Sequence, residues 1–286
     1  MTVSVDAPAK INLALHVCGR RADGYHLLDS LVVFAGVGDR ITVAAAPSLD
    51  LEITGPFASG LAAEPDNLVL RAARWLKRES RHGAHITLEK NLPIASGIGG
   101  GSSDAAATLI ACARVWGMDV KTLPHGELAA ALGADVPVCL VRAPAMMRGI
   151  GEDVTTLKAL PAAWMVLANP GRPLATKAVF TALRGRFSAA LEPVPQDGGL
   201  DGLIAYLERQ RNDLTAPALE LMPAIGTVLN ALAATPGCKL ARLSGSGPTC
   251  FGLYSGESEA KTAADSLKAA HAAWWVTPAP MLVSPL

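Results

Sequence analysis

The chain has 286 residues, half of them hydrophobic and 17% charged, with 25 lysines and arginines balanced by 25 aspartates and glutamates. This composition suits a well-packed globule of one large or two ordinary domains and excludes a disordered chain. Zero net charge offers no electrostatic field for nucleic acid or an anionic membrane, so an anionic substrate has to be met by local groups.

Val3–Ala7 and Ile11–Val17 alternate as strands on either side of Pro8. Arg20–His26 is a turn, and Leu31–Ala35, Asp39–Ala44 and Leu51–Thr54 are further strands. Leu68–Glu79 has the period of an amphipathic helix, and His85–Glu89 is a strand leading into a glycine-rich loop. The alanine-rich run Ala105–Trp116 is a strong helix former. A short helix is expected at Glu127–Leu132, then strands at Met146–Gly149 and Trp164–Asn169. Residues 185–201 are irregular and rich in proline and glycine. Helices follow at Leu200–Gln210, Ala218–Ala233 and Ser258–Ala270, with strands Lys239–Leu243 and Cys250–Tyr254 between them. The order fits an α+β chain with a boundary near residue 155, giving an N-terminal domain over 1–155 and a C-terminal α+β sandwich over 156–286. Trp274-Trp275 reads as core or as a clamp at a domain edge.

No apolar run reaches the ~20 residues that span a bilayer, and the first residues lack a basic-then-apolar leader. The five cysteines are scattered without a CxxC pair, which fits reduced thiols better than a disulfide or zinc framework. The expected location is the cytoplasm.

The most informative stretch is Pro93-Ile94-Ala95-Ser96-Gly97-Ile98-Gly99-Gly100-Gly101-Ser102-Ser103, followed by Asp104 and the alanine-rich helix. A loop that feeds a helix N-terminus offers free N–H groups and a partial positive charge, and phosphate is the usual occupant. The plainer reading is a loop with Ser102, Ser103 or Asp104 as an N-cap; glycine density, paired serines and abrupt helix onset favour the phosphate. No lysine follows the glycines as in a GxxxxGK[ST] loop. A dinucleotide fingerprint would need an acid about 20 residues on, which Asp119 and Glu127 fit poorly.

Other positions keep two readings each. Lys10, among apolar strand residues, either snorkels to solvent or points into the phosphate site. Asp135 either caps a short helix carrying Pro137 in its first turn, or serves as the carboxylate that orients or deprotonates a hydroxyl in phosphoryl transfer. Tyr25 and His26 are half-buried packing or a stacking site for a nucleobase. Ser244–Thr249 is a tight hairpin or a second phosphate cradle.

Pro93–Ala106 resembles the ATP-phosphate loop of the kinases named after galactokinase, homoserine kinase, mevalonate kinase and phosphomevalonate kinase, and Ser244-Gly245-Ser246-Gly247-Pro248-Thr249 resembles their late glycine motif. Lys10-Ile11-Asn12-Leu13 and Arg21-Ala22-Asp23-Gly24-Tyr25-His26 narrow the resemblance to the bacterial branch that phosphorylates a cytidyl diphosphate-linked methylerythritol. Gly133–Pro137, Arg148–Glu152 and Arg211–Leu214 match in order, so the likeness runs from about residue 6 to 254. It implies a two-domain α+β small-molecule kinase fold with ATP and substrate in an interdomain cleft. It also implies ATP as co-substrate with Mg²⁺, and a role in the methylerythritol phosphate route to isoprenoid precursors. By match of position Lys10 and Asp135 are the catalytic pair, Pro93–Ser103 binds ATP, Tyr25, His26 and Phe180 hold cytosine, and Asn12 meets the methylerythritol end. The metal ligands stay open, with Ser102 and Ser103 as candidates. So does the choice between monomer and homodimer. The chain departs from the pattern at Leu174-Ala175, where Val-Ser is usual. The rival readings are a homoserine- or mevalonate-type kinase, and a nucleotide- or RNA-binding module without catalysis, which the neutral charge disfavours.

Overall fold

The computed structural model describes residues 1–61, 66–77 and 83–285. Two compact units emerge, one comprising 1–9, 37–94 and 99–141, the other 10–36, 95–98 and 142–286. This packing does not follow a single cut near residue 155. The reason is that two long strands, β1 (Thr2–Arg20) and β2 (His26–Ala46), each contribute residues to both units. Pro8 does not interrupt β1, where two shorter strands were expected.

In the first unit, Val3, Val5 and Ala7 of β1 are buried while Thr2, Ser4 and Asp6 are exposed, the two-residue period of a half-buried strand. The chain continues through β3 (Leu49–Thr54), α1 (Leu68–Lys77) and β4 (Gly83–Glu89). The last two residues of the helix expected over Leu68–Glu79 lie outside the described residues. β4 pairs antiparallel with β2 (Ile41 opposite Leu88, Val43 opposite Ile86) and parallel with β3 (Leu51 opposite Ile86). Then come α2 (Gly100–Trp116), α3 (His125–Leu132) and α4 (Val136–Val141). The inward side chains Ile41, Val43, Ile86 and Leu88 meet Leu76 of α1 and Leu109 of α2 in one core. That core carries α2 on the sheet and so fixes where its N-terminus points.

The second unit begins with the later part of β1 and the first half of β2, which pairs with β5 (Ala145–Gly149); β5 in turn pairs with β6 (Asp153–Thr156). β7 (Trp164–Asn169), α5 (Thr176–Ala182), α6 (Gly199–Arg209), α7 (Thr215–Leu221), α8 (Ala224–Ala233), β8 (Leu240–Leu243), β9 (Cys250–Tyr254), α9 (Glu257–Ala270) and β10 (Trp275–Leu282) follow. The strand order is β10-β7-β9-β8, all antiparallel. Val166 and Ala168 of β7 and Tyr254 of β9 pack with Val228 of α8 and Ala264 of α9.

Two expected elements differ. A single helix over Ala218–Ala233 is instead α7 and α8, broken at Met222-Pro223, because proline excludes the helical conformation from the residue before it and has no N–H to continue the ladder. Strand β10 has no counterpart in the sequence reading, since Pro278 and Pro280 argue against a strand. The Met281 N–H bonds Ala163 O across to β7, so the odd-numbered N–H groups of β10 face β7. The even-numbered prolines therefore cost that ladder nothing.

The departure at Leu174-Ala175 has a structural result. Ala175 is the N-cap residue of α5 and supplies no capping side chain. Ala175→Ser is expected to raise stability by about 1 kcal/mol, seen as a higher urea midpoint with an unchanged denaturant slope.

Candidate active site

The glycine-rich stretch alternates into the left-handed region, with Ala95 at φ +49°, Gly97 at +75° and Gly99 at +63°. Such alternation turns successive N–H groups to one side, the geometry of an anion nest. Ala95 carries a β-carbon into this region at a cost of about 1–2 kcal/mol, strain of the kind that gathers at ligand sites. Helix α2 starts at Gly100 with Gly99 as N-cap and no capping side chain. The plainer alternative of a cap at Ser102, Ser103 or Asp104 does not hold, since all three lie inside the helix. The hydroxyl of Ser103 is donated to Pro8 O (2.7 Å), locking the first turn onto β1. Ser102 is partly exposed and Gly101 exposed. The first-turn N–H groups therefore have no side-chain acceptor of their own, which suits a bound phosphate.

The second glycine motif is the hairpin joining β8 and β9, closed by Ser244 N to Thr249 O (3.0 Å) and Gly247 N to Ser244 O (2.9 Å). It lies backbone to backbone on the first loop. Thr249 N donates to Ser96 O (3.0 Å), and the Ser244 hydroxyl donates to Gly97 O (3.2 Å). A β-carbon on Gly97 would lie 2.5–2.7 Å from the Gly247 backbone. Gly97→Ala is therefore expected to push the loops apart and raise KM for ATP at least tenfold, which steady-state kinetics with ATP varied would measure.

Lys10 does not snorkel: it is 3% exposed. Its ammonium donates to Asn12 Oδ1 (2.9 Å), while Asn12 Nδ2 donates to Ser30 Oγ (2.8 Å), whose hydroxyl donates to Ala14 O (2.7 Å). Asn12 is fully buried, and its backbone N–H donates to Ser244 Oγ (3.2 Å). A relay of neutral side chains thus orients a buried cation beside the second glycine motif. Asp135 stands immediately before α4, partly exposed, its carbonyl accepting from Cys139 N (3.1 Å).

The imidazole of His26 stacks on Phe180, with ring centroids 4.9 Å apart and planes 29° from parallel. Phe187 approaches the same imidazole at 6.4 Å. It lies in the 185–201 segment, to which the sequence assigned no role, and is 45% exposed. Burial, aided by the charge of Arg20, lowers the His26 pKa, so the ring is neutral near pH 7 and offers one donor and one acceptor. Tyr25 is largely exposed rather than half-buried packing.

One cluster escaped the sequence reading altogether. The Lys90 ammonium, at the end of β4, contacts Asp39 Oδ2 (2.5 Å) and Asp104 Oδ2 (2.7 Å), with all three side chains buried. Asp39 Oδ1 also accepts from Asn91 N (2.6 Å) and Leu92 N (2.8 Å), which tethers the chain just before the glycine-rich loop. A β-carbon on Gly100 would lie 3.2 Å from the Lys90 Nζ. The cluster therefore supports the start of α2 from beneath. Its only sequence signal was two acids and a lysine inside apolar strands and a helix.

Residues 67–142 match the GHMP kinases N terminal domain and residues 197–273 the GHMP kinases C terminal domain. The 4-diphosphocytidyl-2-C-methyl-D-erythritol kinase of Parvibaculum lavamentivorans is 56% identical over 280 residues, covering 96% of each chain. This chain belongs to the 4-diphosphocytidyl-2-C-methyl-D-erythritol kinase family. A second member, from Paramagnetospirillum magneticum, is 52% identical over 98% of each chain. A crystal structure of 4-(cytidine 5'-diphospho)-2C-methyl-D-erythritol kinase, 34% identical, superposes with a TM-score of 0.78, covering 98% of this chain and 99% of that one. Homoserine kinase from Cytophaga hutchinsonii, at 19% identity and a TM-score of 0.71, covers 99% of this chain and 96% of its own. It shares the fold. The chain is thus an α+β small-molecule kinase that uses ATP.

Proposed function

We propose that this kinase transfers the γ-phosphoryl group of ATP to the 2-hydroxyl of 4-diphosphocytidyl-2-C-methyl-D-erythritol. The observation that carries the reading is the His26–Phe180 stack. A flat heterocycle can extend such a stack and use the neutral imidazole's donor and acceptor, whereas homoserine and mevalonate have no ring to place there. Tyr25, His26 and Phe180 hold cytosine. Asn12, expected to meet the methylerythritol end, is fully buried with its amide bonded to Lys10 and Ser30, so its part is to hold Lys10. Residues 93–103 and the N-terminus of α2 hold the ATP phosphates.

In the transfer, the substrate oxygen forms a bond to the γ-phosphorus as the bond to the β-phosphate oxygen breaks, and the hydroxyl proton passes to Asp135. Lys10 supplies positive charge against the negative charge on the oxygens of the transferred group. Among the described residues no three His, Cys, Asp or Glu side chains converge as a metal cage. That fits magnesium carried on nucleotide phosphates and water, with the Ser102 hydroxyl as the protein group to hold it. Such an ion screens phosphate charge. The same reading places a monomer or homodimer in the cytoplasm; among the described residues no helix is long and apolar enough to cross a membrane.

The test is ADP release with ATP, magnesium and the cytidyl substrate, run beside homoserine and mevalonate. Turnover with the cytidyl substrate alone is expected. Phe180→Ala should raise its KM by tenfold or more with kcat largely kept, the mark of lost ground-state binding. Turnover with homoserine or mevalonate instead would discard the cytosine pocket and keep the kinase fold.

A further inference from the structure

The second unit contains a cavity of about 570 Å³, within the size range of small-molecule sites. It lies between the end of α5, residues 186–188, α7, α8 and the edge strand β8. Its walls are apolar, formed by Leu183, Leu219, Leu229 and Leu243 with Phe187 at the rim, yet three arginines and a single carboxylate also line it. Arg211 is answered by that carboxylate, Asp213 (2.8 Å). The other two are not. Arg242 donates to the carbonyl oxygens of Leu13 (2.8 Å), Leu207 (2.7 Å) and Gln210 (3.0 Å), and Arg186 to those of Leu183 (3.1 Å) and Ala182 (3.4 Å). Neither has an acidic partner among the described residues. Carbonyls orient a guanidinium without neutralising it. Arg186 is exposed at the cavity mouth, but Arg242 is partly buried, and a desolvated cation in apolar surroundings is costly unless paired. Burial lowers the Arg242 pKa to about 10, in the same direction.

No step of the phosphoryl transfer uses these groups. An anion would supply the missing countercharge, and the guanidinium fork matches carboxylate and phosphate oxygens equally well. An anion without an apolar body would leave the leucine walls wet. We propose that this cavity binds an amphipathic anion, its carboxylate or phosphate head on Arg242 and Arg186 and its apolar chain along Leu219, Leu229 and Leu243. Occupancy would reach the neighbouring elements. Phe187 lies against His26, and Asn212 Nδ2, on the cavity wall, holds the Leu243 and Gly245 carbonyls (2.9 and 2.8 Å) at the base of the second glycine motif.

The experiment is isothermal titration calorimetry of the full chain with decyl phosphate, decanoate and decanol, each below its micelle concentration. Saturable one-to-one binding of at least one anion, with decanol at least tenfold weaker, is expected; whichever anion binds names the head group. Arg242→Gln should weaken anion binding tenfold or more. Because Arg242 also anchors three carbonyls, a second variant guards against misfolding: Ala216→Trp, at an exposed cavity-lining position on α7, should abolish binding while leaving the thermal midpoint in place. No binding of either anion, equal binding of decanol, or unchanged affinity in the folded Ala216→Trp variant would overturn the proposal. None of these readouts depends on which hydroxyl the kinase phosphorylates.

Discussion

Asp135→Ala and Lys10→Met are each expected to lower kcat by about 10²–10⁴-fold, the scale of general-base and electrostatic groups in enzymes. The two losses should differ in character. Asp135 is partly exposed at a helix start, so its removal should leave folding intact and act on kcat with little change in KM. Lys10 is buried and bonded to Asn12. Methionine keeps the volume of its stem but leaves the Asn12 carbonyl without that donor, a loss of about 1–3 kcal/mol in stability. Steady-state kinetics together with urea unfolding separates these effects. Near-wild-type turnover in either folded variant would remove that residue from the catalytic assignment.

Lys90→Met is expected to be the most destabilising single change, about 3–5 kcal/mol, because removing one partner of a buried ion pair strands the other. Two carboxylates share this one ammonium, and they are unequal. Asp39 accepts from Lys90 and from two backbone N–H groups. Asp104 accepts from Lys90 on one oxygen, while its other oxygen is buried without a hydrogen-bond partner. Burial therefore pushes the Asp104 carboxyl up to about 8, with the Asp39 charge adding to it against the pull of Lys90. Burial works to lower the Lys90 pKa, but the two carboxylates outweigh it and hold it raised, so the lysine stays charged. Between the ordinary carboxyl range and about pH 8 the folded state holds the Asp104 proton and the unfolded state does not. Stability from this group is complete below about pH 4 and is lost as pH rises through about 8. Asp104→Asn mimics the protonated acid, so it should fold at pH 7 and show a flatter stability profile between pH 5 and 9. A wild-type profile that rises across that window through this group would contradict the assignment.

The parts of the site that were legible in the sequence are those whose chemistry is local. The glycine-rich loop and the helix after it announce themselves because glycine, serine and a helix-forming run are contiguous. The Ser244–Thr249 motif announces a turn for the same reason. What the sequence could not show is contact between segments distant in the chain. Nothing in residues 93–103 says that Gly97 has no room for a β-carbon because Gly247, 150 positions later, occupies the space. Lys10 read alone favours a solvated ammonium; only Asn12 and Ser30, folded around it, make burial tolerable. Phe187 lies in a segment without periodicity, and strand β10 carries two prolines whose harmlessness depends on which side faces β7. The start of α2 was placed too late for a related reason. Propensity favours a start at the alanines, but the Ser103 hydroxyl bonded to Pro8 O draws the helix back to Gly100.

The most direct test of the central claim is phosphorus NMR of a reaction containing the enzyme, ATP, magnesium and 4-diphosphocytidyl-2-C-methyl-D-erythritol. The account predicts a new phosphomonoester resonance on the 2-hydroxyl, growing in step with ADP and absent when Asp135→Ala replaces the wild type. ADP accompanied only by inorganic phosphate, or a phosphoester formed on homoserine or mevalonate and not on the cytidyl substrate, would contradict it.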